Sequence, residues 1–405
     1  MNLVEKHIIK RTDRRYKELL ELCHLSKNLY NAALYIIRQH WFETKDDDTV
    51  EKKFLNYYDV WNLMKKDNPD FKALNSHSSQ LVLKQVETEF SSFFSLLKLK
   101  SKGRYDKKVK LPGYLPKDGY NVVSFNQFKA KELKDGYVTL PRSKTLRFKV
   151  KNRNVHYINV VPRHDHVVVM FVYRKQEPEV KPDNGRYMAV DLGVDNLATV
   201  TSNVARAFIV DGKKVKFINR NFNKDLAKAR SELETKTGRK HSHRTRRITQ
   251  KRNNRIEDYF HKTSRYLINQ AVSKGVRTII VGHNKNWKQE VDLGRKNNQK
   301  FVQIPFDRLI RQLKYKGRME GISVVEIEEG YTSKCSFLDS EKIGKHDSYA
   351  GRRTKRGLFV SGDGTRINSD VNGSYNIMRK YLKCDRDAVR PADVGFVYNP
   401  VKVRL

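Results

Sequence analysis

The apolar positions of the first hundred residues change from the spacing of a strand to the spacing of helices. Residues 3–11 alternate between apolar and polar side chains, as a half-buried strand does. From about Tyr16 the spacing is helical, with two apolar stripes and a third segment at 57–64. The stripes comprise Leu19, Leu22, Cys23, Ser26, Leu29, Tyr30 and Ala33, and then Leu81, Val82, Gln85, Val86, Phe90, Phe93 and Phe94. We predict a helical lobe over residues 16–99, in which these helices pack together.

The next part of the chain has the pattern of a small β domain. Short apolar runs recur at roughly ten-residue spacing with turn residues between them, which is typical of a barrel or sandwich. The runs are 122–125, 137–140, 146–150, 155–160 and 167–173. We predict that residues 1–15 and 100–180 form a small β-barrel and that the helical lobe is an insertion into it. Residues 175–185, with two prolines, are the linker that follows.

Residues 181–405 have the element order of an RNase H-like α/β domain. A strand meander is predicted first, then a long basic helical region, and then alternating strands and helices. The meander covers 186–192, 197–201, 207–210 and 215–218; a strand at 278–281, a helix opened by Pro305, a strand at 322–327 and a helix from about Ser369 follow. The predicted fold class is therefore α+β multidomain. This element order supports nucleases and much else, so it does not by itself assign the chemistry.

The charge of the chain indicates a polyanionic partner. The 405 residues include 83 Lys plus Arg against 45 Asp plus Glu, a net charge of +38, and the excess runs through the whole chain. Neutralising phosphates releases condensed counterions, so nucleic acid is the natural partner. The three cysteines, Cys23, Cys335 and Cys384, form no CxxC pair, and no run of 18 apolar residues exists. We expect a cytoplasmic protein without a membrane partner; a prokaryotic protein that acts at the nucleoid is what the family resemblance given below implies.

Acidic residues at the ends of predicted elements stand out in so basic a chain. Asp191 ends the apolar strand of residues 187–190, and Asp370 falls in the first turn of the last helix, where backbone amides favour its ionised form. Glu328 and Glu329 follow the strand at 322–327. Singly, each of these carboxylates could be a helix-start or strand-end residue without chemistry. Together they suit a site that hydrolyses phosphodiesters with two metal ions, because Mg²⁺ prefers hard oxygen ligands.

Three segments of this chain resemble the TnpB family of transposon-encoded nucleases, the ancestors of type V CRISPR effectors. Tyr-Met-Ala-Val-Asp-Leu-Gly-Val-Asp-Asn-Leu-Ala-Thr-Val-Thr (187–201) is similar to the first RuvC motif, and Asn-Ser-Asp-Val-Asn-Gly-Ser-Tyr-Asn-Ile (368–377) to the last. Gly-Tyr-Thr-Ser-Lys-Cys (330–335) resembles the segment that opens the zinc ribbon. The resemblance implies a wedge domain (1–15 and 100–180), a recognition lobe (16–99) and a RuvC nuclease domain (181–405).

The chain departs from the family pattern at the middle catalytic glutamate. The family places it directly after the central strand, but here that strand runs into Gly282, His283 and Asn284. Some relatives supply the glutamate from a later strand, and Glu329 is similar to that relocated residue, with Glu328 as the neighbouring alternative. We expect the strand at 322–327 to lie beside that of Asp191. Strand alternation would then turn only one of the two glutamates toward the metals.

The zinc ribbon is the second departure. Cys335 stands alone, and residues 355–365 replace the far pair of cysteines. Because zinc requires four soft ligands, we expect the insertion at 335–367 to fold without zinc.

By resemblance, the protein is an RNA-guided DNA endonuclease with Asp191, Glu329 and Asp370 as catalytic and Mg²⁺-binding residues, holding two ions. Its partners would be a guide RNA from its own transposon end and target DNA beside a short motif; a monomer is favoured. Residues 221–265 carry 14 Lys plus Arg against 5 Asp plus Glu. The predicted nucleic-acid contacts are Arg244, Arg246, Arg247, Lys251, Arg252, Lys285, Trp287 and Lys288.

Three other functions compete with this one. A nuclease-inactive repressor of the same family is the main alternative, although all three acidic residues are present. A ribosomal or RNA-chaperone protein would account for the charge but not for the acids. A transposase is disfavoured because no tyrosine or serine recombinase motif is visible.

Overall fold

The computed structural model describes residues 1–47, 49, 54–126, 136–152, 154–284, 304–384, 389 and 400–405. The chain divides into two compact units, Met1–Gln176 and Glu177–Leu405. The elements of the first unit are β1 (Asn2–Lys10), α1 (Tyr16–Thr44), α2 (Tyr57–Met64), α3 (Pro69–Ala73), α4 (Ser76–Ser101), β2 (Val123–Asn126), β3 (Tyr137–Thr139), β4 (Arg147–Lys149), β5 (Val155–Pro162) and β6 (His166–Arg174).

The β part of the first unit consists of two antiparallel sheets that share a core. One sheet has the order β1-β6-β5-β2, and β3 pairs with β4 in the other. Phe148 of β4 and Phe171 of β6 are fully buried in the same cluster, with ring centroids 5.4 Å apart. Each strand predicted between residues 122 and 173 is confirmed. Closure of these strands into a barrel stays a prediction.

The helices of the first unit lie in the chain between β1 and β2 and pack around their own core. Leu29 and Ala33 of α1 meet Val60 of α2 and Val86 and Phe90 of α4, all of them buried. The later part of the first stripe and the second stripe thus share one interior, whereas Leu19 and Cys23 of the first stripe are buried in the core of the β sheets. Asparagine side chains cap the short helices and α4, which is why each begins where it does: Asn56, Asn68 and Asn75 accept hydrogen bonds from the first-turn amides.

The second unit contains the remaining elements. They are β7 (Tyr187–Leu192), β8 (Asn196–Ser202), β9 (Phe208–Asp211), α5 (Lys213–Thr237), α6 (His243–Ser273), β10 (Thr278–Gly282), α7 (Phe306–Met319), β11 (Ser323–Ile327), β12 (Arg352–Lys355), β13 (Leu358–Val360), β14 (Arg366–Asn368), α8 (Ser369–Leu382) and β15 (Val401–Val403). Within the described ranges of both units, every helix is too short or too polar to cross a membrane.

A six-stranded sheet of order β11-β10-β7-β8-β9-β15 organises the second unit. Strands β7, β8 and β9 are antiparallel neighbours, whereas β10 is parallel to both β7 and β11. Side-chain alternation divides the two faces: Met188 and Val190 pack with α6 and α7, and Ala189 packs with α8. All five residues of β10 are buried, as expected for a parallel strand covered on both faces. This arrangement is that of an RNase H-like domain.

Two sequence predictions for this unit are wrong. Residues 215–218 are not a strand: they belong to α5, where Val215 and Ile218, three residues apart, bury one helical face. The strand after α7 does not lie beside that of Asp191, because β10 stands between β11 and β7. The β10–α7–β11 connection is a crossover unit, which places its two parallel strands next to each other.

Candidate acidic site

Four carboxylates line one cavity of about 490 Å³ in the second unit: the predicted Asp191, Glu329 and Asp370, which come from three elements, and Asp195. Asp191 lies near the carboxyl end of β7, Glu329 follows β11, and Asp370 is in the first turn of α8. The strands β7, β10 and β11 are parallel, so their carboxyl ends meet at the same edge of the sheet, where such folds hold their ligands. The fold therefore brings together the three acids that the sequence predicted.

Asp191 is the most perturbed of the three acids. Burial raises the pKa of its carboxyl well above the usual value, and the nearby charges of Glu329 and Asp370 raise it further, while Arg353 opposes them. Helix α8 approaches it closely because residue 373 is glycine: a Cβ there would lie 3.0 Å from Asp191 Oδ2. The carboxyl group is thus held where its charge needs a cation.

Asp370 is held by asparagines that bond to its main chain and its side chain. Asn196 Nδ2 donates a hydrogen bond to Asp370 Oδ2 at 2.6 Å, and Asn368 Oδ1 accepts from the Asp370 amide at 3.0 Å. Asn368 is the N-cap of α8, so the carboxylate stands at the positive end of the helix dipole. These contacts orient the Asp370 side chain toward the cavity.

The two consecutive glutamates after β11 face different surroundings. Glu328 is exposed, with Oε2 3.9 Å from Lys380 Nζ. Glu329 lines the cavity, and burial raises its pKa to about 7, against the opposing charge of Lys380. Because β10 separates β11 from β7, the Glu329 side chain must pass over the end of β10. Gly282 leaves that space open: a Cβ there would lie 2.9 Å from Glu329 Oε2.

Two arginines that the sequence did not single out also line the cavity. Arg353 lies on β12 and Arg356 in the turn before β13, within the insertion at 335–367. Arg356 forms an ion pair with Asp195, which is also paired with Lys216. The basic run Arg-Arg-Thr-Lys-Arg at 352–356 is visible in the sequence, but only the hairpin fold shows that it faces the acids.

Comparisons with known proteins fit this geometry. A family model described as a probable transposase (OrfB_IS605) matches residues 170–288, and a model of the Cas12f1-like TNB domain matches residues 306–377. TnpB-like protein ORF457 of Acidianus two-tailed virus is 25% identical, over 96% of this chain and 86% of the viral protein. The chain is a TnpB-family protein. The description of the first model names a probable transposase, the class that the sequence analysis disfavours for lack of a tyrosine or serine recombinase motif.

Two further matches agree with this membership. TnpB-like protein MJ0751 of Methanocaldococcus jannaschii is 26% identical to this TnpB-family chain, over 57% of the chain and 80% of the archaeal protein. A structure titled as the mini-RNA-guided endonuclease CRISPR-Cas_phi3 aligns with a TM-score of 0.50 at 11% identity, covering 94% of this chain and 92% of that one. The second likeness is one of fold.

The insertion of this TnpB-family chain is tied to α8 by hydrogen bonds. Cys335 is buried, and its thiol lies 3.6 Å from the carbonyl oxygens of Lys342 and Gly344. The Glu341 carboxylate accepts from the amides of Ser336 at 2.7 Å and Ala350 at 3.0 Å, which joins two distant parts of the insertion. From α8, Asn372, Asn376 and Arg379 bond to main-chain atoms of residues 332–341.

Within the described ranges, no group of three or more His, Cys, Asp or Glu side chains is arranged to hold a metal ion as it stands. The three acids supply suitable hard oxygen donors, but Arg353 and Arg356 share their cavity. The oxygen donors are therefore of the kind that Mg²⁺ prefers, but the carboxylates are not spaced to hold an ion in this structure.

The predicted nucleic-acid contacts on α6 are not among the described residues that line the cavity of the acids. Arg244, Arg246, Arg247 and Lys251 are on α6, and Arg252 is half-buried beside them. The Arg252 guanidinium donates to Asn219 and lies over the ring of Phe222, so part of its role is structural. His283 contacts Glu326 and Asp307 instead of the three acids. Lys285, Trp287 and Lys288 lie outside the described residues.

Proposed function

We propose that this TnpB-family chain is an RNA-guided DNA endonuclease that hydrolyses phosphodiesters at Asp191, Glu329 and Asp370. The observation that carries the proposal is the convergence of these three acids, from three elements, in one cavity. Burial, together with repulsion by Glu329 and Asp370, raises the pKa of Asp191; such a shift is costly in a structural site and is typical of a functional one. In a family of nucleases, its natural counter-charge is a bound divalent cation.

Asp191, Glu329 and Asp370 would be the ligands of Mg²⁺. Two ions bound there would stabilise the attacking and leaving oxygens of the displacement. The hydrogen bond from Asn196 fixes the position of one carboxylate oxygen of Asp370. Because residue 373 is glycine, α8 can bring this carboxylate near Asp191. Ionised carboxylates are needed for this role, so the raised pKa values of Asp191 and Glu329 mean that the ions bind with release of protons.

Arg353 and Arg356 supply positive charge to the oxygens of a scissile phosphate that face away from the three carboxylates. Both line the cavity beside the acids, and guanidinium groups bind phosphate oxygens with two parallel hydrogen bonds. In the absence of DNA the same charges partly neutralise the acids, which is how Arg353 acts on Asp191. A phosphate entering the cavity would draw the arginines away from the carboxylates.

The guide RNA and target DNA would be bound largely through their backbones. The exposed cations of α6 suit a heteroduplex that is recognised by its shape and charge. Lys285, Trp287 and Lys288 are proposed to contact nucleic acid near the acidic site. We further assign residues 1–15 and 100–180 to a wedge and 16–99 to a recognition lobe that together recognise the target-adjacent motif. Residues 181–405 would form the RuvC nuclease domain, with a zinc-free insertion at 335–367.

The test begins with the RNA that copurifies with the protein from cells carrying the whole transposon. Its sequence supplies the guide, and a matching DNA target beside randomised flanking bases reveals the adjacent motif. We expect cleavage of the matched target in Mg²⁺, and no cleavage in EDTA or with a mismatched guide. A complex that binds the matched target and leaves it intact in Mg²⁺ and Mn²⁺ would instead be the nuclease-inactive repressor.

A further inference from the structure

The end of β10 holds the main chain of Glu329 through a side chain. The ladder between β10 and β11 continues past Gly282 because the His283 amide donates to the Ile327 carbonyl at 2.9 Å. At the next step the Asn284 side chain replaces the backbone: Asn284 Oδ1 accepts from the Glu329 amide at 2.9 Å. An amide oxygen at this place extends the strand pairing by one bond, up to the residue that carries the carboxylate.

The other side of Glu329 is bonded to the helix that carries Asp370. The Thr332 hydroxyl donates to the Glu329 carbonyl at 2.8 Å, and the Thr332 amide donates to the same oxygen at 3.2 Å. Asn376 Nδ2, on α8, donates to the Thr332 carbonyl at 3.0 Å. Thr332 and Asn376 are both buried, so this connection is sheltered from water. The peptide groups flanking Glu329 are thus fixed from β10 and from α8.

His283 anchors the segment from which Asn284 projects. Its ring is almost buried, with Nδ1 3.0 Å from Glu326 Oε2 and Nε2 3.2 Å from Asp307 Oδ1. Glu326 is also bonded to Lys314 of α7. The three residues at the end of β10 therefore have separate roles. Gly282 leaves space for the Glu329 side chain, His283 fixes the segment, and Asn284 bonds the Glu329 main chain.

We propose that Asn284 is a positioning residue that sets the Glu329 carboxylate at the metal-binding cavity. The physical reason is the sheet order, since Glu329 must reach across β10 and any rotation of its main chain moves the carboxylate by more than the main chain itself moves. Asn284 removes that freedom with a bond to the Glu329 amide. The inference rests on the proposed function, because it concerns the site at which that function is placed.

The experiment compares Asn284→Ala with Asn203→Ala as a matched control. Asn203 makes the same kind of bond at the opposite end of the same sheet, where its Oδ1 accepts from the Tyr187 amide at 2.8 Å. Both variants lose one side-chain bond to a main-chain amide, and Asn203→Ala also loses the bond from Nδ2 to the Gly185 carbonyl, so the control is the more strongly perturbed of the two. Two readouts are taken on the full chain: Mn²⁺ affinity by calorimetry without nucleic acid, and the Mg²⁺ concentration for half-maximal cleavage with guide and target.

Asn284→Ala should weaken Mn²⁺ binding and raise the half-maximal Mg²⁺ concentration by roughly 10-fold or more, the usual scale for an outer partner of a metal ligand. Asn203→Ala should change neither by more than about twofold, although it should lose at least as much thermal stability as Asn284→Ala. Asn284→Asp keeps the accepting oxygen and should restore most of the Mn²⁺ affinity lost in Asn284→Ala.

Equal effects of the two alanine variants on metal binding would overturn the inference, as would wild-type metal binding in Asn284→Ala. Failure of the proposed function looks different. There, wild-type protein with guide leaves the target intact, or Glu329→Gln cuts normally. In that case the calorimetric comparison still decides whether Asn284 positions a metal ligand.

Discussion

Strand β7 has one aspartate, Asp183, shortly before its start and another, Asp191, near its end. The pKa values of these two carboxyl groups are shifted in opposite directions. Asp183 is exposed and accepts a hydrogen bond from the Tyr187 hydroxyl at 2.6 Å, which lowers the pKa of its carboxyl. Asp191 lies among other acids, and burial together with Glu329 and Asp370 raises the pKa of its carboxyl. The first aspartate is stabilised by a hydrogen bond, whereas for the second the charge of Arg353 only partly offsets burial and the two neighbouring acids.

The cavities at the two ends of this sheet also differ in the charged residues that line them. The larger one, about 670 Å³, is lined by residues such as Met188, Ser202, Phe208 and Tyr266, and no acid occurs among its described lining residues. The smaller one, about 490 Å³, is lined by the three predicted carboxylates, by Asp195, and by Arg353 and Arg356. Cavity volume would therefore have pointed to the wrong end of the sheet, and the perturbed charges point to the other.

The largest expected effect separates the two aspartates. Asp191→Ala should lower the cleavage rate on the order of 10³-fold or more, because a carboxylate ligand of the catalytic metals is lost. Asp370→Ala should behave in the same way. Asp183→Ala removes two exposed hydrogen bonds, from the Gly185 amide and the Tyr187 hydroxyl, and should leave the rate within about twofold. The measurement is single-turnover cleavage with guide and matched target, alongside a binding assay in which all three variants form the ribonucleoprotein.

Wild-type cleavage by Asp191→Ala or Asp370→Ala would show that the site is elsewhere. A large loss in Asp183→Ala would break the comparison between the two ends of β7.

A second, smaller contrast concerns the adjacent glutamates. Glu329→Gln should lose cleavage by about 100-fold or more while keeping guide-dependent DNA binding, because its side chain lines the cavity. Glu328→Gln should cut nearly normally, because Glu328 is exposed and directed toward Lys380. Cleavage rates and DNA affinities of both variants provide the check. The opposite ranking would transfer the ligand role to Glu328.

The same pair can be compared without metal or nucleic acid. Glu329 has a raised pKa of about 7 in the folded protein against 4.5 ordinarily, so the folded state binds the proton more tightly than the unfolded state. Stability should therefore fall as pH rises from about 4.5 to about 7, by an amount on the order of 3 kcal/mol. Glu329→Gln should reduce this loss, and Glu328→Gln should keep it. Thermal denaturation in EDTA at pH 5 and pH 8 measures both.

Periodicity predicted most of the nuclease-like unit because its elements are long or fully buried. Strand β10 and the helices α7 and α8 lie where their apolar patterns indicated. The error at 215–218 arose from a short apolar run, which is equally compatible with a strand and with the first turn of a helix. Closure of the first unit into a barrel depends on long-range pairing, which strand patterns alone do not specify.

The acids of the candidate site could be chosen from the sequence because carboxylates at element ends are rare in so basic a chain. Their supporting residues could not. Arg353 reaches the cavity only through the β12–β13 hairpin, and Asn284 bonds to Glu329 only because β11 pairs with β10. The expected neighbour of β7 was β11, and the actual order explains why Gly282 is needed between them.

The smallest expected effect concerns the insertion. There the Glu341 carboxylate connects two segments of the chain, as a zinc ion does in a zinc ribbon. Its carboxylate accepts from the amides of Ser336 and Ala350, and Arg379 donates to its carbonyl at 3.1 Å. Glu341→Ala should cost about 1–3 kcal/mol, because two amides lose a charged acceptor. In a unit of this size that lowers Tm by roughly 2–8 °C. The exposed Asp347→Ala is the matched control and should leave Tm unchanged.

Metal analysis completes this comparison, because a ribbon held by Glu341 needs no zinc. Purified protein should contain no stoichiometric zinc, and a strong zinc chelator should not lower the Tm of wild-type protein or add to the effect of Glu341→Ala. Cys335 is the single cysteine of the insertion, and its thiol lies against the Lys342 and Gly344 carbonyls, where one soft ligand is insufficient for a tetrahedral site. One tightly bound zinc per chain would contradict this, since it would require ligands from elsewhere in the chain and would make Glu341 an accessory to the metal.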